Sequence, residues 1–324
     1  MRLWLVLVLL MNTALYAQED ILQDKIIVID PGHGGTAGTD DFRIGPGGER
    51  EEWINLRVAK ILQRLLKRAG ANPMMTRQKD VQVDLKARAE LAIENQADLF
   101  ISIHHNATAD PEVNFPIIYF HGNASENEAS VAFGRVLGKQ IRTALFDYST
   151  PVSLVSDHTI FPKAGTAVLR HSYEIPGVIS EASFFTNPDE EGRLKKRAYN
   201  RKEAKAIFTA IEYYFNHSPK QVAPYQSQVS VEPFEVFQEE ERMNPEARNW
   251  YQNFLHGLEL LTSTSDDDLM KAYQLFETSA RSFPDSYVAA QCQFAMAEIQ
   301  EKLGNDQQAE EIQQRVEEFY VTVP

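Results

Sequence analysis

The sequence predicts an α/β fold: a three-layer sandwich around a central, mostly parallel sheet, followed by a small all-α domain. Three observations carry this. Short apolar runs alternate with amphipathic stretches from Lys25 to about Asn216. Several of those runs are apolar throughout, as in strands buried on both faces. From Ala247 onward the pattern is helical, with no strand candidate.

Taken in order, Ile26–Asp30 (IIVID) runs into a Gly-rich turn and reads as a buried strand. In Trp53–Ala69, Ile54, Val58, Ile61, Leu62 and Leu65 mark one face of a helix that Gly70 terminates. Asp84–Asn95 reads as a second helix, Leu99–Ile103 (LFISI) as a second buried strand and Ile117–Phe120 as a third. Asn127–Leu145 is a long helix. The stretch after it, to about Gly165, is rich in Ser, Thr, Val and Pro and reads as irregular. Gly177–Ser183 (GVISEAS) is a further strand and Lys202–Phe215 a closing helix.

Residues 1–17, MRLWLVLVLLMNTALYA, set Arg2 before the apolar run Leu3–Met11 and the small residues Thr13, Ala14 and Ala17. That is the layout of a secretory signal peptide cleaved after Ala17. It predicts an exported protein of the periplasm or cell envelope. An uncleaved anchor is the other reading, but the run is shorter than the ~20 apolar residues a spanning helix needs. No later segment is long and apolar enough to span, so no membrane span is expected once the signal is removed.

Charge and cysteine narrow the chemistry. Of 324 residues, 32 are Lys or Arg and 46 Asp or Glu, a net charge of −14. That argues against a nucleic-acid partner and against electrostatic attachment to anionic lipid. Cys292 is the one cysteine, so neither an internal disulfide nor a Cys-rich metal site is possible. Any metal must be held by histidine and carboxylate.

Residues 217–245, with Pro219, Pro224, Pro233 and the acidic run Glu239–Glu241, read as a linker. The helical region 246–324 places Ala272, Phe276 and Pro284 in the Ala-x3-Phe…Pro spacing of a tetratricopeptide repeat. A degenerate repeat pair and a generic helical hairpin cap are equally open readings. Repeats of this kind expose a concave face, so a protein partner docking there is one expectation. Because the linker has no apolar period, a fragment ending near His217 is expected to fold and bind metal without the helices.

Three signals lie at the ends of predicted strands. Asp30-Pro31-Gly32-His33-Gly34-Gly35 follows the first strand, and Ser102-Ile103-His104-His105-Asn106-Ala107 closes the second. Glu181 sits inside the otherwise apolar strand beginning at Gly177. A lone histidine or a Pro-Gly turn is commonly structural. A carboxylate within an apolar strand is costly unless it meets a metal, a partner or a cleft. Strand ends are where open α/β sheets gather ligands, and two histidines with a carboxylate are the parts of a zinc site.

These residues, joined by Glu51-x3-Asn55-Leu56, Thr76-Arg77-x2-Asp80-x4-Leu85-x2-Arg88 and Glu181-x2-Phe184-x2-Asn187-Pro188, resemble the zinc-dependent N-acetylmuramoyl-L-alanine amidases. The resemblance covers about residues 25–216. It implies hydrolysis of the amide between N-acetylmuramic acid and L-alanine in peptidoglycan, in wall remodelling or daughter-cell separation. It also implies one zinc per chain on His33, Glu51 and His104, a zinc-activated water, and Glu181 as general base. The donor set would equally suit iron or manganese. Alignment on Asn55-Leu56 selects Glu51 over Glu49 and Glu52. His105 is expected either to approach the cleft beside the metal or to cap the strand end. Arg77 and Arg88 read as structural, and His121, His158, His171, His217 and His256, which have no motif, as surface or core residues. In some family members a helix inserted between the second His motif and the catalytic Glu blocks the zinc. Asp147–Gly165 does not read as a helix, so no such self-inhibition is expected. A metallopeptidase cutting the stem peptide and a non-enzymatic envelope scaffold are the competing functions.

Overall fold

A computed structural model describes residues 21–36, 43–217, 221–224, 234–236 and 245–324. The signal peptide read at residues 1–17 and most of the linker read at 217–245 lie outside the described residues.

The expected α/β sandwich is present. The strands are β1 (Ile26–Pro31), β2 (Asn72–Met75), β3 (Leu99–Asn106), β4 (Ile117–Phe120), β5 (Ser153–Ser156), β6 (Gly177–Phe184) and β7 (Tyr320–Val321). They form one sheet in the order β2-β1-β3-β6-β4-β5-β7. β2, β1, β3 and β6 run parallel, β4 and β5 run parallel to each other, and the antiparallel pairings are β4 with β6 and β5 with β7. The carboxyl ends of β4 and β5 therefore lie at the opposite end of the sheet from those of β1, β3 and β6.

Strand alternation builds two cores. Ile27, Ile29, Ile101, Ile103, Phe120 and Val178 face one way. They meet helices α1 (Glu51–Arg68), α3 (Glu128–Leu145) and α6 (Arg197–Asn216) through residues such as Ile54, Leu62, Phe133, Leu137 and Ile207. Val28, Phe100, Ile117, Tyr119, Ile179 and Phe184 face the other way. On that side lie α2 (Leu85–Glu94), α4 (Ala167–His171) and the C-terminal helices α7 (Trp250–Leu261), α8 (Asp266–Ser282), α9 (Ala289–Lys302) and α10 (Asp306–Phe319). The short helix α5 (Pro188–Leu194) leads into α6, with Asn187 capping it by accepting from the Glu190 amide. α7 and α8 pack closely at Gly257, where a Cβ would stand 2.8 Å from the Phe276 ring.

Loose attachment of the helical region does not hold. Phe283 packs on Phe115 and Phe184 with ring centroids 5.8 and 6.2 Å away, and Tyr287 packs edge-on against Phe115 at 5.1 Å. The Tyr119 hydroxyl donates to Asp285. Ser125 Oγ donates to Glu318 at 2.7 Å, and Arg142 donates to the Pro324 carbonyl at 2.7 Å. The region also contains a strand that its helical period concealed. Tyr320 and Val321 leave α10 and pair with Val155 and Leu154 at the sheet edge. The helical region is thus part of the third layer, not an appendage.

Two other strands went unread for local reasons. β2 (NPMM) carries Pro73, which an edge strand tolerates because only one side of the backbone must pair. β5 (SLVS) is four residues in a Ser- and Val-rich stretch, too short to show a period, and is defined by its pairing with β4.

Candidate active site

β1 carries the chain to the sheet end, where it must turn in very little space. A Cβ on Gly32 would lie 2.1 Å from Nε2 of His104, so the backbone passes directly beneath that ring. His33 then adopts φ 58°, the left-handed region that side chains rarely enter. Two arginines hold the bend. Arg77 donates to the carbonyls of Pro31, Gly32 and Glu52, each at 2.8 Å. Arg88 donates to the His33 carbonyl at 2.7 Å and to the Asp30 carboxylate at 2.8 Å. Both are structural, as the sequence suggested. Asp30 also accepts from Thr76 at 2.5 Å and Ser102 at 2.7 Å. Burial alone would raise its pKa; Arg88, then Thr76 and Ser102, outweigh burial and hold it below the ordinary carboxylate value.

The bend brings His33 to the first turn of α1. His33 Nε2 lies 3.1 Å from Glu51 Oε2, and His104 Nδ1 lies 3.0 Å from Glu51 Oε1. The two imidazoles meet edge-on at 4.6 Å. One donor atom from each of His33, Glu51 and His104 lies within 4.8 Å of the other two. Burial alone would raise the pKa of Glu51; the histidines on either side reverse that and hold it well below the carboxylate range. Burial depresses His33, and Glu51 only partly offsets this.

The neighbouring glutamates turn elsewhere. Glu49 pairs with Arg57 at 2.8 Å and Glu52 with Arg50 at 2.6 Å. The structure thus brings Glu51, and neither neighbour, to the two histidines.

Glu181 stands on β6 opposite His104 on β3, after which the register of the pair shifts. Its Oε2 is buried without a hydrogen-bond partner. Burial first, then the charge of Glu51, push its pKa well above the ordinary carboxylate value. A carboxyl held this way carries a proton more readily than a surface glutamate, as a general acid–base requires.

His105 does neither of the two things expected of it. Its ring is buried behind Glu51, with Nδ1 2.9 Å from Asn55 Oδ1 and Nε2 3.2 Å from Glu203 Oε2. Its backbone amide and the Asn55 side chain both donate to Glu51 Oε1, at 3.2 and 3.1 Å. His105 therefore buttresses the carboxylate. Burial would lower its pKa, but the Glu203 carboxylate raises it overall. Glu203 was missed from sequence, though a signal was available. It occupies the same i, i+4 stripe of α6 as the buried Tyr199, Ile207 and Ile211.

The donors suit a metal. Two imidazoles and a carboxylate face one another closely, from three elements held rigidly, with an unpartnered carboxylate oxygen alongside. That set fits zinc with a further position open, and also iron or manganese.

Residues 27–213 match the sequence family described as N-acetylmuramoyl-L-alanine amidase. The N-acetylmuramoyl-L-alanine amidase AmiA of Escherichia coli strain K12 is 27% identical over 231 residues, covering 61% of this chain and 79% of that protein. The amidase LytC of Bacillus subtilis strain 168 is 32% identical over 191 residues, covering 59% of this chain and 36% of that protein. Among solved structures, the amidase AmiC2 of Nostoc punctiforme superposes with a TM-score of 0.51 at 28% identity, over 59% of this chain and 97% of that one. An N-acetylmuramoyl-L-alanine amidase from Clostridium difficile 630 gives 0.52 at 25% identity, over 60% and 99%.

Proposed function

This chain belongs to the N-acetylmuramoyl-L-alanine amidase family, and from that premise we propose how its own residues perform the reaction. It is a peptidoglycan hydrolase that cleaves the amide between N-acetylmuramic acid and L-alanine. His33, Glu51 and His104 hold one zinc ion. When bound there, zinc supplies Lewis acidity: it lowers the pKa of a water toward ~7 and polarises the scissile carbonyl. Glu181 accepts the proton of the attacking water at its carboxylate and returns it to the departing L-alanine amine. Atoms balance: one water is consumed, one C–N bond is broken, and a carboxylate and an amine result. Asn55 and His105 hold the carboxylate of Glu51 in place while this occurs.

The observation that carries this reading is the convergence of the His33, Glu51 and His104 donors within 4.8 Å. The layout of residues 1–17 supports export to the periplasm or cell envelope, where peptidoglycan lies. The test is mass spectrometry of purified muropeptides after digestion. Free stem peptides beginning with L-alanine are expected, together with peptide-free glycan. Cuts within the stem peptide would replace the amidase reading with that of a metallopeptidase.

A further inference from the structure

The end of the sheet away from the candidate active site holds a second cluster of metal-ligating groups. His121 follows β4 directly, and Asp157 and His158 follow β5 directly. One donor atom from each lies within 4.8 Å of the other two. His121 Nδ1 stands 3.1 and 3.0 Å from the two carboxylate oxygens of Asp157. His121 and Asp157 are buried and His158 is partly exposed, which leaves an approach from solvent.

Asp157 and His158 are oriented from behind, as metal ligands are. Thr166 donates to Asp157 Oδ2 through its backbone amide at 2.6 Å and its hydroxyl at 2.7 Å. His158 Nδ1 lies 3.2 Å from the Pro162 carbonyl, which selects the tautomer that leaves Nε2 with a free lone pair. Gly165, at φ 60°, lets the backbone close over the cluster; a Cβ there would lie 2.5 Å from Asp157 and 2.6 Å from His121. Tyr173 packs edge-on to His121 at 5.7 Å, and Phe319, the last residue of α10, stacks on His158 at 6.0 Å.

The geometry points to a second divalent transition-metal site, formed by His121, Asp157 and His158, that joins the ends of β4 and β5 beneath the C-terminal helix. Two imidazoles and one carboxylate are a borderline-soft set of the kind zinc takes. Tetrahedral ligands with bonds of ~2.1 Å stand about 3.4 Å apart, close to the His121–Asp157 separation. On binding, the cation takes the place of the proton that His121 Nδ1 shares with Asp157, and that proton is released to solvent. Thr166 holds Asp157 Oδ2 with two hydrogen bonds, so the carboxylate is committed to one position and the role assigned to this site is structural.

The full chain is loaded with zinc, desalted, and its metal content measured by inductively coupled plasma mass spectrometry. Wild type is expected to hold two zinc ions. His158→Ala should hold one and keep its muropeptide hydrolysis, because the lost site is at the other end of the sheet. His33→Ala should also hold one, and its melting temperature should rise on zinc addition. That rise should vanish in the His33→Ala/His158→Ala pair. One zinc in wild type with none in His33→Ala would overturn the second site, even if His158→Ala failed to fold. Unchanged zinc content in a folded His158→Ala would overturn it as well.

Discussion

At the carboxyl ends of β1 and β3, two histidines from the strand ends flank a glutamate from α1, and at the carboxyl ends of β4 and β5 two more gather round an aspartate. Donor types alone do not distinguish these clusters; their surroundings do. The first lies beside Glu181, whose buried oxygen has no hydrogen-bond partner. The second has its carboxylate fully engaged by Thr166 and His121, and Phe319 stacks on its outer histidine. A carboxylate left free next to a metal position can move protons, whereas one committed to the backbone can only hold things in place. The donor residues of the first cluster and Glu181 all precede residue 182, with Glu203 of α6 supporting them through His105. The second shares its wall with the C-terminal helices.

That difference is tested most severely by removing residues 246–324. The deletion uncovers Phe115, Tyr119 and Phe184 and leaves β5 an unpaired edge. Burying each such aromatic is worth roughly 1.5–3 kcal/mol. Together they rival the ~5–15 kcal/mol of a whole domain. The fragment ending at His217 is expected to aggregate or lack a cooperative melt by circular dichroism. A soluble fragment with full muropeptide turnover would show instead that the helical layer is dispensable to the first cluster.

Glu181→Gln separates holding a metal from using it. The amide keeps the shape of the side chain and loses the base. Turnover should fall roughly 10²–10⁴-fold, the range for lost general acid–base help, with zinc content unchanged. Glu51→Gln should instead lower zinc content first, because a neutral amide is a poor ligand. Equal metal loss in both variants would erase the distinction between ligand and base.

The clusters also differ in how far sequence exposed them. In the first, His33 and His104 stood out locally at strand ends and Glu181 because it interrupts an apolar strand, whereas Glu51, one of three glutamates in a row of four residues, was singled out only by the family resemblance through Asn55-Leu56. Four of the seven strands, β1, β3, β4 and β6, and the long helices were legible from continuous apolar runs and a regular helical face. The second cluster was not. His121 and His158 are 37 residues apart by number and meet only because β4 and β5 pair in parallel. β5 itself was too short to announce. Residues 320–321 join the sheet at its far edge through a pairing no local pattern encodes. Glu203 reaches His105 across the fold, and its helix face alone hinted at burial.

Acid should strain the first end of the sheet through Asp30. Its folded pKa lies below the ordinary value of 3.8. The ionised group therefore adds stability that is present above about pH 4 and lost as pH falls through the folded value. Asp30→Asn should cost roughly 3–5 kcal/mol at neutral pH, since Arg88 is left without its buried partner. It should also flatten the acid limb of stability measured by urea melts from pH 6 downward. An unchanged acid limb would mean that other carboxylates control it.

The smallest expected effect falls on the second cluster. Thr166→Val removes the hydroxyl that donates to Asp157 and keeps the backbone amide that donates to the same oxygen. The carboxylate loses one of its two anchors from that residue, so stability should fall by about 0.5–1.5 kcal/mol, the net worth of one hydrogen bond. Muropeptide turnover should not change, because Thr166 lies at the far end of the sheet from Glu181 and touches no residue of the first cluster. If Asp157 serves a metal, the variant should also release zinc from His33→Ala protein faster under a chelator, since the loosened carboxylate no longer stands ready between the histidines. A fall in turnover at constant stability would mean that the two ends of the sheet communicate, and that separating a chemical end from a structural end is wrong for this fold.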